Sequence, residues 1–252
     1  MVSTNISPVV SEATQPDTSQ CDKKPYLVDE LGSEIVLLRI GSGENAQSLP
    51  VHKKILCTRA PFFEKMFNGP FAEGVSQSAE FPEDNPTAFK LLIGWIYTQH
   101  VEDPYEFDTA RGLRHCSSRQ IIALYALAEK YNILRLQDQS MDHLVKHCID
   151  RKKWLFAQTM GWAYENTHAN SKLRLYVARH FVFVTLCSQR GRDKSWTDDI
   201  MRSELMKNED LFKDVFALLR DYAGKMPSDP NKALACDYHQ HSSTEPCPYQ
   251  NK

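Results

Sequence analysis

The first clear hydrophobic pattern in the chain is EIVLLRI at 34–40, a mostly apolar run that predicts a buried strand. GSGEN follows as a turn, and AQSLPVH at 46–52 predicts the returning strand of a hairpin. The GSG at 41–43 lacks both the further glycine and the Lys-Ser/Thr pair of a phosphate-binding loop. A hairpin turn is therefore the favoured interpretation of this segment.

After His52 the apolar spacing changes to a helical one. Two short helices broken near Pro61 are predicted from the positions of Ile55, Leu56, Phe62, Phe63, Met66 and Phe67. SAEFPED at 78–84 predicts a short strand. Asn85 as N-cap and Pro86 at the first position predict another helix. The core-facing stripe of that helix comprises Phe89, Leu92, Ile93, Ile96 and Tyr97.

The second half of the chain is predicted to be mainly helical. A polar loop at 101–116 precedes Ser117 and Gln120, whose spacing is that of a capping box. The periodicity predicts helices at 121–131, 134–149, 153–165, 171–188 and 208–222, with GRDKSWTDD at 191–199 as a break. The fold class is therefore α+β, a small sheet flanked by helices and followed by an all-helical extension.

The two ends of the chain differ in composition from the rest. Residues 1–25 are rich in Ser, Thr, Pro and Gln and predict a disordered tail. The segment from Met226 returns to Pro, Ser and His without periodicity and predicts a flexible tail. The expected regions are 1–25, a domain at 26–150, a helical extension at 151–225, and a tail at 226–252.

Composition narrows the function class. The 252 residues are 42% hydrophobic and 25% charged, with a net charge of −2, which is typical of a soluble globular protein. No basic stripe favours nucleic acid, and runs such as LLIGWIY are too short to span a membrane. The start of the chain lacks the pattern of a signal peptide, so we expect an intracellular location, in cytoplasm or nucleus. Seven scattered cysteines, an odd number, are expected to be mostly reduced.

Four residues near the end of the chain have the chemistry of a metal site. Cys236, His239, His241 and Cys247 form a C-x2-H-x-H-x5-C arrangement, which predicts a structural zinc knuckle that folds when loaded. The alternative is a plain tail with accidental Cys and His residues. No other cofactor is predicted.

Other candidate residues for chemistry are weaker. His143 and His147 lie one turn apart beside Cys148 but lack the zincin glutamate, which favours a solvated helix face. Cys57 lies among apolar helix positions, which predicts burial instead of reactivity. No local catalytic signature is present, so we expect no enzyme activity.

Three motifs occur in an order that resembles the BTB/POZ family. The first places His52, Leu56, Ala60 and Phe63 where the family has His-x3-Leu-x3-Ser-x2-Phe. The second is IYTQHVE at 96–102, with Tyr97 and Thr98 in the family positions, and the third is LYALAEKYNILRLQD at 124–138. The resemblance covers about 31–150 and implies the BTB/POZ fold, with His52 tying the hairpin to the helices.

The chain also departs from the family pattern. Ala60 replaces a capping serine, at a cost of about 1 kcal/mol, and Gln99 replaces a turn glycine. The long loop at 101–116 and the helices after 150 resemble those of fungal BTB proteins with a C-terminal helical extension. These departures leave the fold intact and affect partner specificity.

The resemblance implies protein partners. Family members that bind a cullin, the scaffold of ubiquitin ligases, commonly carry hydrophobic-x-Glu after the second helix, and this chain has Phe71-Ala72-Glu73 there. An exposed ring with a neighbouring acid suits a partner pocket. The alternative is that Phe71 folds back onto the core and Glu73 is solvated. Many family members dimerise through an added N-terminal helix, but KKPYLVDELG at 23–32 is short for that exchange.

Three interpretations of function stay open. The first is a protein-interaction module that serves as substrate adaptor of a cullin-based ubiquitin ligase, although the sequence shows no separate recognition domain. The second is a scaffold or transcription-related regulator that self-associates without a cullin. The third is a small enzyme with a non-local active site.

Overall fold

A computed structural model describes residues 26–108, 113–187, 195–242 and 245–249, without side chains at 106–108 and 113–115. The predicted tail at 1–25 lies outside the described residues. The central sheet has the order β2-β1-β3, built from β1 (Ile35–Ile40), β2 (Gln47–His52) and β3 (Ser78–Phe81). β1 pairs antiparallel with β2 and parallel with β3.

The sheet buries one face only. Val36, Leu38 and Ile40 of β1 are fully buried, whereas Ile35 and Leu37 are exposed on the other face. The expectation of a fully buried strand is therefore wrong for half of its side chains, because helices cover a single side of the sheet. A short, mostly apolar run does not show by its sequence alone whether a strand is covered on one face or on both.

Five helices lie along the same part of the chain as the sheet. They are α1 (Leu27–Leu31), α2 (Lys53–Arg59), α3 (Pro61–Asn68), α4 (Ala72–Ser76) and α5 (Pro86–Thr98). As the sequence predicts, Pro61 and Pro86 occupy first turns, where a missing N–H costs nothing. The Asn85 side chain caps α5 by accepting from the backbone N–H groups of Thr87 and Ala88, at 2.9 and 3.0 Å.

The next two helices connect two hydrophobic cores. They are α6 (Ser118–Lys130) and α7 (Leu134–Arg151). Leu124, Leu127 and Ala128 of α6 pack into the first core, with the sheet. Ile121, Ile122 and Tyr125, on the other side of α6, pack into the second core, with the extension. The helix is therefore buried on both sides.

The extension comprises α8 (Ala157–Glu165), α9 (Lys172–Cys187), α10 (Asp198–Lys207) and α11 (Glu209–Asp221). Its core is centred on α9, whose Tyr176, Val177 and Phe181 are buried. His180 is also buried there, with Trp154 and Tyr176 packed edge-on against its ring. Among the described residues, no helix is long and apolar enough to cross a membrane.

Three local predictions are corrected. The loop at 101–116 contains a hairpin, β4 (Tyr105–Asp108) paired with β5 (Leu113–Cys116), whose four-residue strands are too short for a clear alternation. Helix α10 was not predicted, because its sequence is mostly polar. Ser117 is the N-cap of α6, but its side chain makes no capping hydrogen bond, so the capping box is wrong.

The tail from Met226 also differs from the expectation of a flexible segment. Two short 3-10 turns, Pro230–Lys232 and Ala235–Tyr238, pack against α7 and α9. The Tyr238 ring is buried edge-on against Tyr176, and its hydroxyl donates to the Pro230 carbonyl at 3.3 Å. Single apolar anchors of this kind order a segment without producing any helical period.

Candidate partner-binding surface

Two residues predicted as fold landmarks are in direct contact. The backbone N–H of His52 donates to the Tyr97 hydroxyl at 3.0 Å, and His52 Nδ1 lies 2.8 Å from the same oxygen. Arg59 adds to this connection by donating to the carbonyls of Ile96 and Tyr97. The end of β2, helix α2 and the end of α5 are therefore held together by hydrogen bonds.

The other two landmarks belong to the core. Leu56 and Phe63 are fully buried, and Phe63 contacts the rings of Phe81, Phe89 and Tyr131. Cys57, on the same helix as Leu56, is buried as the sequence predicts, and burial raises the pKa of its thiol to about 11. A thiol with so high a pKa is poorly suited to nucleophilic chemistry at neutral pH.

Two glycines position Phe71: Gly69 in the loop between α3 and α4, and Gly74 on α4. A Cβ at Gly69 would collide with the Lys65 carbonyl and lie 3.0 Å from two atoms of the Phe71 ring. A Cβ at Gly74 would lie 2.7 Å from the Gly69 carbonyl, and the Gly74 N–H donates to the Phe71 carbonyl at 3.0 Å. The close approach of these backbone segments holds the ring against Gly69.

The Phe71 ring faces solvent. It is 53% exposed and does not belong to the hydrophobic core, so the alternative that it folds back onto the core is not what the structure shows. Val75, one turn further along, is 89% exposed, and Glu73 lies between them on α4, partly buried. An aromatic ring, an aliphatic side chain and a carboxylate thus share one short exposed segment.

Comparison with known proteins agrees with this architecture. The model of the BTB/POZ domain matches residues 36–148, from β1 to the end of α7. The chain carries a BTB/POZ domain. BTB/POZ domain-containing protein 6-B of Danio rerio is 30% identical over 89 residues, which are 35% of this chain and 18% of that protein. BTB/POZ and MATH domain-containing protein 5 of Arabidopsis thaliana is 25% identical over 152 residues, 58% of this chain and 36% of that protein.

The similarity covers only part of each of these relatives. The chain spans less than half the length of the curated relatives cited here. BTB/POZ domains are protein-interaction domains that bind partners and dimerise, so this chain contains a protein-interaction module.

A second exposed apolar surface lies at the start of the BTB/POZ domain. Tyr26, Leu27 and Val28 on and before α1 are exposed, as are Ile35 and Leu37 of β1. Helix α1 buries none of its residues. Leu31 packs against the first core, and two polar contacts add to this: Glu30 pairs with Arg59, and the Lys54 ammonium donates to the Asp29 carbonyl at 2.6 Å. The helix is therefore fixed while Leu27 and Val28 stay exposed.

A cleft of about 710 Å³ lies between the BTB/POZ domain and the extension. It is lined by Asp84 and Glu129 on one side and by Trp162, Glu165 and His168 on the other. Glu129 accepts from the His168 N–H at 3.0 Å, which connects the two sides at one end. Glu83 and Lys130 also line the cleft, and the Lys130 ammonium pairs with Asp84 at 2.7 Å, so the lining carries four carboxylates against one ammonium.

His143 and His147 lie beside the β4–β5 hairpin. His143 Nε2 lies 2.9 Å from an Asp103 oxygen, and Asp103 also contacts the Cys116 thiol at 3.9 Å. Burial raises the pKa of Cys116 to about 11 and lowers the pKa of His147. Both histidines are partly buried, so the prediction that this helix face is solvated is only partly correct. Cys148 is buried away from them in the second core.

The four predicted metal ligands in the tail are brought together. One donor atom from each of Cys236, His239, His241 and Cys247 lies within 4.8 Å of the others. Two aspartates of α7 support this segment: Asp142 lies 2.9 Å from His239 Nε2, and Asp138 accepts from the Gln240 N–H. Sequence reasoning did not identify them. Their spacing of four residues placed them on one helix face, but nothing local linked them to a segment about 100 residues away.

Proposed function

We propose that this BTB/POZ protein is an adaptor that binds the N-terminal helices of a cullin scaffold through the surface formed by Phe71, Glu73 and Val75. The observation that supports this proposal is the exposed ring of Phe71, held outward where Gly69 and Gly74 leave no room for an ordinary side chain. Exposed aromatic anchors beside a charged group are typical of interaction hot spots.

The surface gives each side chain a separate role. The Phe71 ring would fill an apolar pocket of the partner, and Val75 would extend the same contact. The Glu73 carboxylate would pair with a basic group at the edge and fix the register. Because the ring is already positioned by Gly69, binding would require little ordering of this loop.

The substrate of such an adaptor would contact the extension. The cleft between α6 and α8 is the place we assign to it, since its lining carries the carboxylates of Glu83, Asp84, Glu129 and Glu165 against the single ammonium of Lys130. A basic peptide segment is the chemistry that this lining would attract.

Calorimetric titration against the N-terminal half of the host's BTB-binding cullin tests the proposal. Wild type would be compared with the double change Phe71→Ala and Glu73→Ala, and we expect at least a thirtyfold loss of affinity, about 2 kcal/mol. Phe156→Ala is the matched control. Phe156 is also 53% exposed and also precedes a helix, but it lies in the extension. Absence of wild-type binding, or equal losses in both variants, would refute the cullin contact.

Self-association is a second candidate function, favoured by the exposed apolar side chains of α1 and β1. Light scattering of the eluting protein would give its mass over a range of concentrations. Leu37→Lys places a charge on the outer sheet face, where a symmetric contact would bring it close to its own copy. A dimer that dissociates in this variant supports the scaffold function, and a monomer in the wild type rejects it.

A further inference from the structure

The C-terminal segment is held on the protein by contacts that a metal could complete. Tyr238 anchors it in the second core, and the Arg179 guanidinium lies over the Tyr238 ring, 5.6 Å from its centre. Immediately beyond this anchor, the chain turns back across α7 and brings His239, His241 and Cys247 around Cys236. The cluster is therefore positioned by packing that does not itself involve the four ligands.

The separations within the cluster suit a tetrahedral ion. With bonds of about 2.0 Å to nitrogen and 2.3 Å to sulfur, the ligand atoms of tetrahedral zinc lie roughly 3.5 Å apart. The Cys247 sulfur is 3.6 Å from His239 Nδ1, and the widest separation in the cluster is within 4.8 Å. Small side-chain rotations would close the remaining gap. Two thiolates and two imidazoles form a donor set that selects zinc.

Each histidine has one ring nitrogen engaged and the other directed to the cluster. His239 Nε2 lies 2.9 Å from the Asp142 carboxylate, which leaves Nδ1 facing Cys247. His241 Nδ1 lies 2.9 Å from the Ser242 carbonyl, which fixes the proton on that nitrogen because a carbonyl can only accept. His241 Nε2 is buried and makes no hydrogen bond. A buried acceptor without a donor is what a metal ligand looks like before the ion is added.

Helix α7 supplies the outer support. Asp142 orients His239, as a carboxylate commonly does behind a zinc-bound imidazole. Asp138, one turn earlier, accepts from the Gln240 N–H at 2.7 Å and from the Tyr249 hydroxyl at 3.1 Å. The His239 side chain is 1% exposed, so the site is closed on its protein side.

We propose that Cys236, His239, His241 and Cys247 bind one zinc ion, which fastens the C-terminal segment to helix α7 of the BTB/POZ domain. Four protein ligands leave no open position, so the ion is structural. Its effect is to fix the C-terminal segment to the middle of the chain, because the ligands lie at 236–247 while their supports lie at 138 and 142. The inference does not depend on whether a cullin is bound.

Metal analysis of the purified full chain tests this site. We expect one zinc per chain in the wild type and less than a tenth of that in the Cys236→Ser, Cys247→Ser double variant. Cys187→Ser is the matched control, because Cys187 lies outside the cluster at the end of α9, and it should retain the full zinc content. Cobalt substitution should give the visible absorption of a tetrahedral site in the wild type and the control only.

A second variant distinguishes loss of zinc through a weakened site from loss of zinc through misfolding. Asp142→Asn keeps all four ligands and should weaken zinc affinity tenfold or more in competition with a chelator, with an unchanged circular dichroism spectrum. Zinc-free wild-type protein whose mass is lower by two hydrogens would show a disulfide between Cys236 and Cys247 and overturn the proposal. Full zinc content in the double variant would do the same, and would direct attention to Asp103, Cys116 and His143.

Discussion

The buried imidazole of His180 is expected to make the extension sensitive to acid. It is fully buried on α9, and it accepts a long hydrogen bond from the Leu155 N–H, 3.4 Å from His180 Nε2. Burial lowers the pKa of His180 to about 3, because the charged ring would lose its water. In the unfolded chain the same group titrates at about 6.5.

The sign of the effect follows from these two pKa values. As the pH falls, the unfolded chain binds the proton first, so protonation favours unfolding. The stability that depends on neutral His180 is complete above about pH 6.5 and is lost progressively between about pH 6.5 and pH 3. At pH 5 the expected loss relative to pH 8 is about 2 kcal/mol, or about thirtyfold in the unfolding equilibrium.

Urea unfolding of wild type and His180→Phe at pH 8, 6.5 and 5 measures this loss. Phenylalanine keeps a ring between Trp154 and Tyr176 but does not titrate. Every other ionisable group is shared by both proteins, so its contribution cancels in the difference. We expect the wild type to lose about 2 kcal/mol more than the variant between pH 8 and pH 5. A difference that stays constant with pH to within about 0.5 kcal/mol would refute this reasoning.

Two buried polar contacts give further predictions. Arg174→Lys should cost about 2 kcal/mol in urea unfolding, because the guanidinium donates to two backbone carbonyls and to Asp210, which an ammonium cannot reach together. A cost below about 0.5 kcal/mol would show that these bonds are weak. Tyr131→Phe should also cost about 2 kcal/mol by the same assay, because it removes a hydroxyl donor from the buried Asp84 carboxylate. Asp84→Asn, which keeps an acceptor, should cost less; an equal or greater cost would contradict this assignment.

Local sequence was sufficient to predict the elements whose ends are marked by turn, proline or capping residues. The β1–β2 hairpin, the break at Pro61 and the start of α5 at Asn85 each depend on residues within a few positions of one another. The β4–β5 hairpin and α10 lack such features, since the strands are four residues long and the helix is mostly polar. The order of the tail depends on Tyr238 meeting Tyr176, a contact across about sixty residues that no local pattern contains.

The proposed zinc site was also predicted only in part. Residue type and spacing predicted that Cys236, His239, His241 and Cys247 form a group, because the four residues are close in sequence. The supporting aspartates on α7 were not predicted, because Asp138 and Asp142 resemble ordinary surface acids on a helix. The proposed partner surface was predicted from Phe71 and Glu73, but the exposure of Phe71 depends on how Gly69 and Gly74 meet.

The burial of α6 on both of its sides limits how this protein can be taken apart. A fragment that stops where the matched domain ends would keep Ile121, Ile122 and Tyr125 but lose the surface that covers them. If the domain alone were transferred into another protein, this apolar strip of α6 would be exposed to solvent. An exposed strip of this kind promotes aggregation. The interchangeable unit is therefore the domain together with its extension, and recombination that preserves function would have to move both as one cassette.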